Sequence, residues 1–349
     1  MGRTPRVLAA LTEPVNRVGR IAATRMRLDE IGERGAIEIL KRIFDRGHEV
    51  GIGDDCALVD WGDQYLLVTT DVLSQRTHLP PTATPWQVGW FLVATNLSDV
   101  AAMGGYPLGF VAALALPRAL DVNWLRELAR GMEECTKEFG IAVLGGDTKE
   151  AEQILLSGTA FGRVKKDRVL LRRGARPGDV VVITGDLGRG GWGARSLRAG
   201  VDVPHATELI VRPHPRVEEG KLLAESGAVT SCMDISDGLG TTLAQMAALG
   251  GVGFELEWAK LPVYREARTL PTPEVQQLAM YWGGDYELVA TVRPEKADEL
   301  LRTFHEKRHP LTACGRVLPA TPNALLVDGK RETLHPHGWE HFRSTPITH

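Results

Sequence analysis

The sequence predicts an α/β protein, more strictly α+β, of two domains. From Arg27 onward, apolar strand-like runs alternate with longer helical periods. Its 349 residues exceed what one core usually serves. A turn-rich break near Arg173, with Gly174, Pro177 and Gly178, divides the pattern in two. These observations set residues 1–26 as a flexible extension, 27–170 as an N-terminal domain and 171–349 as a C-terminal one, with a true start at Met26 as an alternative.

The helical period Glu33 to Phe44 comes first. Strands are expected at Tyr65 to Thr70, Leu108 to Leu116, Ile141 to Leu144 and Ile154 to Arg163. Between them, Thr84-Pro85 has the chemistry of an N-cap followed by proline at the first helical position, so a helix runs to about Met103, where Gly104-Gly105 stop it. A second helix spans roughly Asn123 to Glu138. After the break come a strand at Val180 to Thr184 and a glycine-rich segment, Gly185 to Gly193. That segment reads as a flexible surface loop, with phosphate cradling by backbone N–H groups as the alternative. Helices at Pro215 to Ser226, Leu239 to Leu249 and Pro294 to Glu306, with strands near Gly253 to Glu257 and Tyr286 to Val292, complete the second half.

Composition narrows the function classes. A formal net charge of -3 gives no global basic field for nucleic acid or an anionic membrane, so any phosphate binding is local. Apolar stretches such as Phe110 to Leu116 are far shorter than the roughly 20 residues that cross a bilayer. The four cysteines, Cys56, Cys135, Cys232 and Cys314, form no CxxC pair, and they suit a reducing cytoplasm.

Six short segments join small residues to aspartate: Gly51 to Asp55, Thr69-Thr70-Asp71, Asn96 to Asp99, Gly145-Gly146-Asp147-Thr148, Asp234 to Gly238 and Gly283 to Tyr286. Hard oxygen ligands beside small neighbours are what Mg²⁺ needs when it bridges carboxylates to substrate phosphates. Such positions are expected to converge on one rim of a sheet. Each segment alone is also ordinary turn chemistry, and Asp237-Gly238 could simply cap a helix. Asp99 is the strongest single witness, because an apolar helix carries an acid near its buried end only where something compensates the charge. The chain has no Walker A motif and no kinase-type catalytic lysine motif.

The order and wording of these segments resemble the thiamine-monophosphate kinase family, of the superfamily that also holds aminoimidazole ribonucleotide synthetase and selenophosphate synthetase. The matching runs include GIGDDCALV at 51–59, TTDVL at 69–73, NLSDVAAMGG at 96–105, GGDT at 145–148, RRGARPGDVVVITG at 172–185, RPHPR at 212–216, DISDGL at 234–239, GGDYEL at 283–288 and GWEHF at 338–342. The resemblance implies the two-domain architecture of aminoimidazole ribonucleotide synthetase, with N-terminal sheets packing into a homodimer and ATP near the interface. It implies ATP-dependent phosphorylation of thiamine monophosphate to thiamine diphosphate by direct in-line transfer with several Mg²⁺ ions. By residue, it implies metal ligation by Asp55, Thr69, Thr70, Asp71, Asp99, Asp147, Asp234 and Asp237. It places Gly146, Asp147, Arg172 and Ser236 near ATP, and His78 near the thiamine phosphate. Asp71, Asp147, Arg172 and Asp237 are the expected catalytic set.

Two departures mark the acceptor side. Gly284 stands where the family commonly has the glutamate of Gly-Gly-Glu-Asp-Tyr-Glu, and Pro336 falls where an aromatic contact is often found. Trp339 is the nearest ring able to stack on a heterocycle. Gly284 and Trp339 therefore join His78 as expected substrate contacts. The rival readings are a related ATP-dependent enzyme with another small-molecule acceptor, and a non-catalytic ATP and Mg²⁺ sensor.

Overall fold

The structure is a computed structural model, and it describes residues 26–44 and 52–342. The extension expected over residues 1–26 thus lies, Met26 apart, outside the described residues, as does Gly51. Helix α1 (Leu28–Phe44) is interrupted by Gly32 at φ 71° and ψ -178°, so its regular part after the kink coincides with the helix expected from Glu33.

Strands β1 (Ala57–Trp61), β2 (Gln64–Ser74), β3 (Tyr106–Leu116), β4 (Val143–Glu150) and β5 (Leu155–Lys165) form a five-stranded sheet in the order β1-β2-β5-β3-β4. Its pairs are antiparallel except β3 with β4. One face carries α2 (Pro85–Ala102) and α3 (Val122–Glu138). The Thr84 hydroxyl accepts the Gln87 N–H and the Gln87 side chain accepts the Thr84 N–H, a capping box that fixes the start of α2 where the sequence placed it. Helix α2 is apolar almost all round because it lies between both halves. Phe91, Leu92, Val93 and Leu97 are buried, each contributing about 1.5 to 3 kcal/mol of burial energy.

The second sheet has seven strands, β6 (Val180–Thr184), β7 (Val229–Asp234), β8 (Val252–Glu257), β9 (Leu288–Val292), β10 (Leu311–Pro319), β11 (Ala324–Val327) and β12 (Lys330–Thr333), ordered β12-β11-β8-β10-β6-β9-β7. Only β11 with β8 is parallel. Helices α4 (Arg189–Ala199), α5 (Val203–Val211), α6 (Val217–Ser226), α7 (Leu239–Gly250), the short α8 (Thr272–Gln276) and α9 (Pro294–Glu306) complete it. One apolar core joins α2 and the first sheet to Val182, Leu288, Ala290 and Phe304 of the second half. A separate core lies under α7, around Leu243, Met246 and Phe254. Among the described residues, no helix is long and apolar enough to cross a membrane.

The segment Gly185 to Gly193 is not a surface loop. It leads into α4 with Gly188, Gly190, Gly191 and Gly193 buried, and the N–H groups of Gly188 and Gly190 donate to the Asp285 carboxylate at 2.7 and 3.2 Å. An internal acid takes the donors that a phosphate would need.

Candidate functional site

Three of the expected metal ligands meet between the halves. Asp55 precedes β1, Asp99 sits in the last turn of α2, and Asp234 ends β7; their carboxylate oxygens lie within 4.8 Å of one another. The aspartates therefore do not share one sheet rim, the arrangement the sequence leads us to expect of an α/β domain. These sheets are mainly antiparallel, and the meeting point is the seam that α2 crosses.

Each carboxylate is oriented by a neighbour. The Thr69 hydroxyl donates to Asp99 Oδ2, and the Ser98 hydroxyl donates to Asp234 Oδ2 at 2.7 Å. Arg172 donates from Nε and Nη2 to Asp55 Oδ1, at 3.2 and 2.8 Å, and from Nη1 to Gln245 Oε1 at 3.1 Å. Its backbone N–H donates to Asp54 Oδ1 at 2.7 Å, so the Asp-Asp pair grips this arginine twice. Asp55 Oδ2 is buried and has no hydrogen-bond partner among the described residues. An unpaired buried oxygen on a carboxylate grouped with two others is costly by itself and matches the hard-oxygen donor set of Mg²⁺.

Burial raises Asp99, Asp234, Asp71 and Asp237. Asp99 is pushed well above its ordinary value by burial and by Asp71; Asp234 rises to about 8 through burial and Asp55. Asp71 and Asp237 rise to about 6, each through burial and then the charge of Glu33. A folded pKa above the ordinary 3.8 means that the native state holds protons the unfolded chain releases. Stability of the chelated protein therefore falls as pH rises from about 4 to about 8. In EDTA the Tm is expected to be higher at pH 6 than at pH 8.5, and the Mg²⁺-induced rise in Tm larger at pH 8.5, because the metal requires the deprotonated forms. Calorimetry at both pH values checks this; a Tm that does not fall with pH contradicts the joint burial of these carboxylates.

The remaining expected residues divide into three groups. Asp71 lies on the helix-covered side of β2, its N–H donating to Asn96 Oδ1 at 3.1 Å, and it joins the acidic region with Asp237. Asp237 caps nothing: Gly238 is the N-cap of α7, without a side-chain bond. The Asp237 carbonyl accepts the Trp339 N–H at 3.1 Å, and the Ser236 carbonyl accepts the Gly284 N–H at 2.7 Å. Gly284 has φ +91° with open space around its Cα, so a side chain there meets strain rather than a clash. At this turn, glycine is the residue the backbone wants.

Thr70, Gly146 and Asp147 fall on strand positions away from the carboxylate cluster. Thr70 is exposed, donates to the Gly158 carbonyl at 2.8 Å and accepts from Thr159 at 3.0 Å. Asp147 pairs across β3 and β5 with the row that contains Val72, so it shares the outer face of the five-stranded sheet with Thr70. There it is exposed, and the Lys149 ammonium donating to Oδ1 at 2.6 Å lowers its pKa. A Cβ on Gly146 would stand 1.9 Å from the Ala112 carbonyl oxygen, so only glycine fits the ladder at that point.

His78 and Trp339 are joined through His341, whose ring lies 5.1 Å from His78 and 5.5 Å from Trp339 between centroids. Burial and His341 lower the His78 pKa to about 4. Sequence reading did not single out His341, Glu33, Asn96 or Tyr286. Tyr286 holds φ +53°, a rare conformation for a bulky residue, and packs edge-on against Phe91 at 5.9 Å. The motif runs contained Asn96, Tyr286 and His341, but only the folded chain shows what they touch.

Comparison with known proteins agrees with this architecture. The family model of the AIR synthase related protein N-terminal domain matches residues 53–164, and that of the C-terminal domain matches residues 176–328. A thiamine-monophosphate kinase of Pyrococcus horikoshii is 35% identical over 307 residues, spanning 88% of this chain and 96% of that protein. One from Haemophilus influenzae is 31% identical over 328 residues, spanning 89% and 99%. The solved structure of AaThiL complexed with AMPPCP and TMP superposes with a TM-score of 0.80 at 30% identity, covering 91% of this chain and all of that one, 100%. A chain of the HypE–HypF complex, at 22% identity and a TM-score of 0.69 over 85% of this chain and 97% of that one, shares the fold. The chain belongs to the AIR synthase related family and, within it, to the thiamine-monophosphate kinases.

Proposed function

We propose that this enzyme phosphorylates thiamine monophosphate with ATP to give thiamine diphosphate and ADP. The observation that carries the reading is the Asp55, Asp99 and Asp234 cluster, with a buried unpaired oxygen, in a chain of this family. A phosphate oxygen of thiamine monophosphate attacks the γ-phosphorus of ATP in line, one O–P bond forms, and the bond to the β-phosphate bridging oxygen breaks as ADP leaves. Asp55, Asp99 and Asp234, with Asp71 and Asp237 adjacent, would hold Mg²⁺, whose charge offsets that of the phosphates. Arg172 is a resident cation at the cluster and is positioned to turn from Asp55 toward phosphate oxygens. Ser236, one residue before Asp237, would contact the nucleotide.

The outer-face positions of Thr70 and Asp147, with Gly146 next to them on β4, fit a homodimer in which the outer sheet faces pack together and ATP lies near their interface. Exposed Val59, Trp61, Val72, Leu144 and Leu155 of the first sheet and its edge support that packing. Residues 27–170 would then serve ATP, metal and dimerisation, and 171–349 would close the site. A cytoplasmic location suits four buried free thiols.

Purified protein with ATP, Mg²⁺ and thiamine monophosphate is expected to form thiamine diphosphate and ADP in equal amounts, read by chromatography. ADP release without thiamine diphosphate would sink the acceptor and favour a related enzyme, for which the open position at Gly284 leaves room. No nucleotide turnover with any acceptor, alongside retained ATP binding, would favour a sensor.

A further inference from the structure

We propose, on the basis of that reading, that His341 is a positioning residue that locks His78, Trp339 and α1 into one wall of the acceptor site. Three connections meet at it. Its ring packs on His78 at 5.1 Å with the planes tilted by 40°. The Trp339 indole donates from Nε1 to His341 Nε2 at 3.3 Å, with the two rings perpendicular at 90°. The backbone completes the join: His341 N–H donates to Glu33 Oε2 at 3.2 Å, and Glu33 N–H donates to the His341 carbonyl at 3.1 Å.

The surrounding contacts make this a clasp between the ends of the described chain. Arg34 donates its N–H to Glu340 Oε1 at 3.3 Å and reaches Thr241 Oγ1 from Nη2 at 3.2 Å. Trp339 N–H holds the Asp237 carbonyl beside the acidic region. His78 Nδ1 accepts the Ser74 N–H at 3.1 Å, leaving Nε2 as the N–H side of a neutral imidazole. Thus His78 is an oriented neutral donor, Trp339 an oriented apolar face, and His341 the group that sets the angle between them. A flat cationic heterocycle carrying a phosphate is the ligand class that such a wall suits, with the ring on Trp339 and the phosphate toward the acids and their metal.

The test separates positioning from general folding. Wild type, His341→Ala and His341→Phe are assayed with ATP and thiamine monophosphate varied independently. In His341→Ala, the KM for thiamine monophosphate is expected to rise about tenfold, the factor that one or two aromatic contacts supply, while the KM for ATP stays constant. His341→Phe keeps the ring and restores most of the loss. Adding His78→Ala to His341→Ala is expected to raise the acceptor KM little further, because the first change already frees His78. An unchanged acceptor KM in His341→Ala, or equal rises in both KM values, overturns the proposal. If His341→Ala does not fold, the same comparison is made on His341→Phe and His341→Leu, where a ring-dependent acceptor KM supports it and equal KM values overturn it. Should wild type make no thiamine diphosphate, the parent reading falls, and hydrogen exchange across residues 28–44 decides the clasp: protection unchanged by loss of the ring and its Trp339 contact overturns it.

Discussion

Replacing Asp99 with asparagine is expected to make the chelated protein more stable and to remove its turnover. Asp99 sits near the end of α2, with a proton affinity raised by burial, Asp71, Asp234 and Asp55. An amide keeps the shape, still accepts from Thr69, and can donate to a facing carboxylate, so one member of a like-charged buried cluster becomes a partner. The expected gain is about 1 to 3 kcal/mol near pH 8, the size of a hydrogen bond to a charged group. The same change removes a hard anionic donor, so thiamine diphosphate formation should fall by at least about 100-fold. Thermal melts with EDTA and with Mg²⁺ read both effects: the variant melts above wild type in EDTA and gains less from Mg²⁺. A variant that keeps the wild-type Mg²⁺ response would remove Asp99 from the metal site.

The contrast between Asp99 and the glycine-rich segment shows which parts of this protein are legible in sequence. The start of α2 could be read from Thr84 and Pro85 because helix capping is local chemistry, which the structure completes within four residues through Gln87. Asp99 stood out because an acid in an apolar helix needs an explanation at once. Gly185 to Gly193 did not disclose its role, because the group that organises it, Asp285, comes from far along the chain. The same holds for Asp147. Its Gly-Gly-Asp-Thr setting suggests a ligand, yet the face it occupies follows from the register of β4 on β3 and of β5 on β2, which no local pattern states. Strand β7, polar in sequence as Val-Thr-Ser-Cys-Met-Asp, is buried because Thr230 and Ser231 bond across to β9 at Thr291. Local devices are visible in advance; pairings across the chain are not.

Arg216→Leu should produce a large loss of stability although the residue lies outside the acidic cluster. Arg216 and Glu287 belong to runs that look like ligand motifs, RPHPR and GGDYEL, but the folded chain turns them on each other. Arg216 donates from Nε and Nη2 to the two Glu287 oxygens, both at 2.6 Å, and lies 3.5 Å from Glu219, another buried carboxylate. Glu287 also accepts from Thr184 Oγ1 at 2.7 Å and from the Asp186 N–H at 3.3 Å, so it cannot turn to solvent without breaking the end of β6. Leucine strands Glu287 without its cation, at a cost of about 3 to 5 kcal/mol. Glu287→Gln alone is expected to cost less, since it removes the buried negative charge while its one amide oxygen keeps either the Thr184 donor or the Asp186 donor, and combining it with Arg216→Leu should recover a large part of the single-variant loss. Urea unfolding of the three variants measures this coupling; additive losses would show that the two side chains act independently. The consequence for the site runs through geometry. Residues 283–286 link Glu287 to Ser236 through the Gly284 N–H and to Ile235 through the Tyr286 N–H, so a pair that never touches phosphate holds the turn on which the acceptor side is built.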